Sequence, residues 1–181
     1  DNVTSEVGDG QKLRLENSRF DAAFSMFGLM FFPDPVAGLR ELHRVLKPGG
    51  RVLISSWVPM EESPMIRVLV GALMRADPPP PDAPKPEPFA FQSEDALAEG
   101  LRAGGFEDVQ VRRLEPEVAF DGPEGYWEEA KTSLFAKHKR KERGDAWPEI
   151  EAKVLEALRE SLGDARALRM PGFIARGVKK P

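Results

Sequence analysis

The sequence predicts an α/β protein carrying a helical cap, and three observations lead there. Residues 20–57, FDAAFSMFGLMFFPDPVAGLRELHRVLKPGGRVLISSW, read as strand, helix, tight turn, strand. A second helix-then-strand pattern follows over 93–120, and a helix-rich tail then precedes a short apolar run at 173–178. Strand–helix–strand alternation is how a parallel sheet with a crossover helix is written in sequence.

Val3 to Val7 alternates and predicts a short strand ending at Gly8-Asp9-Gly10. Phe20 to Phe27 is an apolar run that suits a strand covered on both faces. Asp34 is placed to cap a helix opened by Pro35, where a missing N–H costs nothing. Val36, Leu39, Leu42, Val45 and Leu46 recur at helical spacing and define its buried face. Pro48-Gly49-Gly50 stops that helix and supplies the positive φ of the reversal before the strand Arg51 to Trp57. Beyond it, Ser63 and Pro64 open a helix with Met65, Ile66, Leu69, Val70 and Leu73 on one face. The proline-dense stretch 78–88 is neither helix nor inner strand, and reads as a lid or a linker.

Ser93 caps a further helix through Leu97 and Leu101, closed by Gly104-Gly105, and Val109 to Phe120 is the strand after it. Residues 123–143 form a charged helical stretch. Residues 148–162 form a cleaner amphipathic helix ended by Gly163, ahead of a last strand at 173–178. The domain reading is an α/β core over 1–121 and 164–181, with 122–163 as a helical insertion or cap.

Composition narrows the function classes. The 181 residues are 41% hydrophobic and 31% charged, enough to bury a substantial core. With no cysteine, neither a disulfide framework nor a thiolate metal site is possible. Two histidines, His43 and His138, far apart in sequence, make a histidine metal centre a poor reading, and none is assigned. A net charge of −4 gives no electrostatic reason to expect nucleic acid as a general partner. No run of 18 apolar residues suggests a membrane span, and the polar start DNVTSEVGDG does not read as a signal peptide, so a cytoplasmic protein is expected.

Several runs together are similar to class I S-adenosylmethionine-dependent methyltransferases of the ubiquinone and menaquinone biosynthesis type. They are Gly8-Asp9-Gly10, Phe20-Asp21, Leu46-Lys47-Pro48-Gly49-Gly50-Arg51, and Gly104-Gly105-Phe106-Glu107-Asp108-Val109. The resemblance implies a Rossmann-like methyltransferase sheet, partial here because the first two strands and their glycine-rich cofactor loop would precede Asp1. It implies S-adenosylmethionine as cofactor, bound by Asp9, Gly10, Ser25, Met26 and Phe27, with the Asp9 carboxylate accepting from the adenine amino group. The resemblance and the aromatic character of Phe31, Phe32, Trp57 and Phe91 assign these four to the substrate pocket, for a small and preferably hydrophobic acceptor.

Other readings stand beside these. Asp9 could simply favour a turn, the aromatic residues could be core, and the basic run Lys137 to Lys141 could attract phosphate or be a solvated face. Met30 and Phe31 stand where many relatives carry histidine, so no catalytic residue is assigned. The alternative to a methyltransferase is a catalytically silent module of the same fold that acts through self-association or protein binding. An unpaired edge on Phe20 to Phe27 would in either case favour a homo-oligomer.

Overall fold

The structure, a computed structural model, describes residues 2–82 and 89–181. In chain order its elements are β1 (Phe20–Met26), α1 (Pro35–Val45), β2 (Leu46–Trp57), α2 (Pro64–Ala76), α3 (Glu94–Ala103), β3 (Glu107–Leu114), β4 (Glu117–Ala119), α4 (Gly122–Ala130), α5 (Leu134–Arg143), α6 (Trp147–Leu162), β5 (Ala167–Arg169) and β6 (Gly172–Val178). They form two compact units. One comprises Asp1–Pro59, Glu87–Leu114 and Pro171–Pro181, the other Met60–Pro86 and Glu115–Met170.

The first unit is a mixed four-stranded sheet of order β1-β2-β6-β3. β1 and β2 run parallel, with Met26 opposite Ser55, and α1 is the connection between them. The remaining pairs are antiparallel. The α1 cap is the one the sequence specified: Asp34 Oδ1 accepts from the Ala37 N–H at 2.9 Å, and Pro35 opens the helix. Leu39 and Leu46 are fully buried with Val52, Ile54, Leu97, Leu101 and Phe106 in one apolar cluster. At the far end of α1 the Lys179 ammonium donates to the carbonyls of His43 and Leu46 at 2.9 and 2.7 Å, closing acceptors that the helix leaves open. Gly49 takes φ +79° there, as the turn required. His43 packs edge-on against Phe106, and burial, with the Lys179 charge nearby, pushes its pKa down.

The second unit packs α2, α4 and α6 around Tyr126, Trp127, Trp147, Val154 and Leu158, with the two-stranded sheet β4-β5 alongside. Tyr126 donates its hydroxyl to the Met65 carbonyl at 2.6 Å, and burial pushes its pKa up, so the phenol stays protonated. Asp77, at the end of α2, accepts from Lys139 at 2.6 Å and Arg143 at 2.9 Å and so holds α5.

Several expectations are corrected. Val3 to Val7 is not a strand: both valines are exposed, at 82% and 98%, and two-residue alternation builds nothing without a partner to pair with. β1 is not covered on both faces, since Phe24 and Met26 are 65% and 54% exposed. β2 begins directly at Leu46, and the Lys-Pro-Gly-Gly segment bulges out of register between Phe20 and Ala22 of β1. The strand expected over Val109 to Phe120 is two strands in different sheets, parted at Glu115-Pro116. Residues 123–143 break into α4 and α5 where Ser133 accepts from the Ala136 N–H. Ser63 occupies the cap position of α2, yet its buried hydroxyl makes no cap bond. Beyond the tail 122–163, the second unit takes in α2, β4 and β5. Of the proline stretch, 83–88 lie outside the described residues.

Candidate functional site

Chemically distinctive groups gather where the parallel strands β1 and β2 end. Phe27, the residue after β1, takes φ +53°, a conformation that costs a bulky side chain energy. Two contacts hold it there. Its N–H donates to the Ser55 hydroxyl at 2.9 Å, and its ring stacks on Trp57 with centroids 3.7 Å apart and planes 15° from parallel. Ser25, two residues earlier, accepts from the Leu29 N–H at 3.3 Å and so fixes the short helical turn Leu29–Phe31 that follows. Met26 sits between them, with the Ser55 hydroxyl 3.8 Å from its sulfur.

The amino-terminal segment is brought to this end by α1. Glu41 accepts from the Leu13 N–H at 2.7 Å, while the Arg44 guanidinium donates to the carbonyls of Leu13 and Leu15 at 3.0 and 2.7 Å and to Asn17 at 2.6 Å. The Arg44 guanidinium beside Glu41 holds its carboxyl below the usual range, so the anchor is charged at neutral pH. Pinned in this way, Gly10 lies against Phe32: a Cβ at Gly10 would fall 2.4 Å from the ring. Gly38 of α1 approaches the other side, where a Cβ would meet Leu29 at 2.5 Å and Phe32 at 2.9 Å. Phe32 is held between two bare backbones.

Two concavities result, with Phe32 as their common wall. The first, about 160 Å³, is lined by Gly10, Leu13, Phe24, Ser25, Leu29, Phe32, Gly38 and Leu42. The second, wider and about 430 Å³, is lined by Met30, Phe31, Phe32, Pro33, Pro35, Phe89 and Ala90. Phe31, 48% exposed, meets Phe89 edge to face at 5.0 Å. Among the described residues, no ionisable side chain lines either one.

The residues assigned from the sequence are thus partly united. Gly10, Ser25 and Phe32 share the first concavity, Phe31 and Phe32 the second, and Phe27 and Trp57 stack together. Asp9 is exposed in a turn where its Oδ1 accepts from the Gln11 N–H at 2.8 Å, so the turn reading holds; a carboxylate retains capacity for a further donor. Phe91 lies elsewhere: it is buried to 8% exposure, takes φ +64°, and its ring fills the space over Gly100 of α3, which makes it core. Four contributors escaped the sequence reading. Gly38 and Phe89 carry no local signal. Ser55 and Ser56 do, as adjacent hydroxyls in an otherwise apolar strand, and both are buried. Ser56 and the Trp57 N–H each donate to the Met30 sulfur at 3.5 Å.

Residues 1–54 match the family of methyltransferase domains. The likeness is to methyltransferases. The chain is 36% identical over 118 residues to the demethylmenaquinone methyltransferase of Streptomyces griseus subsp. griseus, covering 60% of this chain and 51% of that protein. To the same enzyme of Corynebacterium kroppenstedtii it is 35% identical over 127 residues, 62% of this chain and 54% of the relative. The chain spans about half the length of these curated relatives. Among solved structures, YcgJ of Bacillus subtilis superposes with a TM-score of 0.55 at 17% identity, covering 100% of this chain and 73% of that one. The cyclase SpnF gives 0.50 at 21% identity, covering 97% and 55%. The fold is therefore α/β and Rossmann-like, as in methyltransferase structures. A fold shared with a cyclase does not by itself name a reaction.

Proposed function

We propose that the protein acts as an S-adenosylmethionine-dependent methyltransferase on a small, apolar acceptor of the quinone-precursor or lipid-like kind. The observation that carries this reading is the pair of concavities meeting at Phe32 at the carboxyl end of β1, the end of an α/β sheet where ligands bind. The demethylmenaquinone methyltransferase relatives support the substrate class.

The residues present fit one side of the cofactor. Asp9 offers an acceptor for an exocyclic amine, and the stacked Phe27 and Trp57 a flat apolar surface. At about 160 Å³ the first concavity is smaller than pockets that enclose a ligand of this size, roughly 300 Å³ or more. The cofactor supplies a methyl group already activated by its sulfonium. What remains for this chain is alignment and exclusion of water, for which the apolar walls at Phe31, Phe32 and Phe89 are suited. The described lining residues include no proton acceptor, and this favours an electron-rich ring carbon over a hydroxyl, which would need its proton removed.

Self-association and a cytoplasmic location belong to the same reading. They are supported by an outer edge of β1 that is unpaired among the described residues and by a sequence without cysteine. No described helix is long and apolar enough to cross a membrane.

The test is methyl transfer from labelled S-adenosylmethionine to demethylmenaquinone, with cofactor binding measured separately by calorimetry. Asp9→Ala is expected to weaken cofactor binding about tenfold, the loss of one hydrogen bond to a charged acceptor. Phe31→Ala, on an exposed ring, should raise the acceptor KM and leave cofactor affinity unchanged. Cofactor binding indifferent to Asp9→Ala removes that assignment, and no transfer to any apolar acceptor removes the reading.

A further inference from the structure

Helix α5, LFAKHKRKER, concentrates five lysine and arginine residues against one glutamate in a chain whose net charge is −4. Its two faces differ. Ala136, Lys139 and Arg143 share one stripe and seat the helix: Ala136 is buried, and both cations bind Asp77. Leu134, Lys137, His138 and Lys141, spaced by three and four, form the opposite stripe, with Arg140 on its flank. All are exposed, Leu134 at 71%, and Phe135 in the same first turn is 41% exposed. His138 pairs with Glu142 at 3.2 Å, whereas Lys137, Arg140 and Lys141 form no ion pair among the described residues.

We propose that this outward stripe of α5 docks on an anionic phospholipid surface. Cations that only stabilised the fold would have partners, as Lys139 and Arg143 do. Three unpaired ones on a single face in an acidic protein match a surface of opposite charge. The exposed Leu134 and Phe135 decide between anionic surfaces. Apolar side chains beside a basic face are what an interfacial helix inserts below the headgroups, while a nucleic-acid backbone offers them nothing. Docking is modest and reversible, because the stripe is short and each cation contributes about fivefold in partitioning.

The experiment is flotation of the full chain with vesicles of phosphatidylcholine alone and of phosphatidylcholine mixed with phosphatidylglycerol. Binding is expected on the anionic vesicles only and should fall as salt is raised. Lys137→Ala with Lys141→Ala is expected to lower it about 25-fold. Leu134→Ser with Phe135→Ser should lower it while every charge is kept, and circular dichroism checks that the fold is retained. Failure to float with anionic vesicles overturns the proposal, as does binding indifferent to either pair. Capture of single-stranded RNA by a chain that ignores vesicles overturns it in favour of a nucleic-acid face.

Discussion

Phe27 shows how a single residue is held in a conformation its side chain disfavours, and the cost is met by two neighbours. The Ser55 hydroxyl takes the Phe27 N–H, and Trp57 takes its ring. Ser55→Ala leaves that N–H without its partner in a partly buried setting, so thermal or urea unfolding should show a loss of about 1 kcal/mol. Cofactor affinity should fall with it if the stacked pair forms the cofactor surface. The residue scale is also where sequence is least legible. Phe31 and Phe91 look alike in the chain, yet one is half exposed beside a concavity and the other fills a gap over a glycine. Nothing local distinguishes them, because burial is decided by α3, which arrives from later in the sequence. Asp9 was legible only as an alternative between a turn and a ligand contact; its hydrogen bond to Gln11 is compatible with both.

Elements whose signals are complete within a short stretch are legible in the sequence, whereas alternation alone does not make a strand. α1 carries its cap, its proline and its apolar face within a dozen residues, and each is realised, although the helix ends at Val45, before the Pro48-Gly49-Gly50 expected to stop it. Val3 to Val7 had alternation alone and forms no strand, while Glu115-Pro116, a breaker visible in the sequence, does part β3 from β4. Close approach is likewise invisible before the helices are in place. Gly100 accepts the Phe91 ring so tightly that a Cβ would lie 2.3 Å from it. Gly100→Ala should therefore destabilise by about 1–3 kcal/mol despite alanine's better helix propensity, and a stabilised variant would refute that packing.

The anchor of residues 10–19 on α1 has its own pH dependence. With its carboxyl pKa held down by Arg44, Glu41 stays ionised in the folded protein at a pH where the unfolded chain would protonate. Its contribution is present above the ordinary carboxylate range and is lost as pH falls through the lowered value. Hydrogen exchange at the Leu13 amide reads this directly. Protection should persist from neutral into mildly acidic solution and then collapse, and Glu41→Ala should exchange about tenfold faster or more at neutral pH.

At the scale of the whole molecule, the sheet order β1-β2-β6-β3 leaves β1 with a neighbour on one side only among the described residues. Its alternate side chains Ala22, Phe24 and Met26 are exposed, so an unpaired row of backbone donors and acceptors lies beside apolar surface. Soluble proteins usually blunt such an edge with charge, proline or a bulge. Arg19 and Asp21 guard its beginning, and the register shift with β2 falls there as well, but the half from Ala22 to Met26 carries no such device. The proposed self-association should accordingly run through that half, two copies pairing edge to edge about a twofold axis and burying Phe24 and Met26 against each other. Light scattering should then give a mass near twice the 20.1 kDa of the chain, falling toward one copy on dilution. Phe24→Lys sets two like charges face to face in the pairing while the exposed strand position tolerates the change in the fold, so it should yield a folded monomer at every concentration. A monomeric parent protein, or a Phe24→Lys variant that still pairs, would end the proposal for this edge.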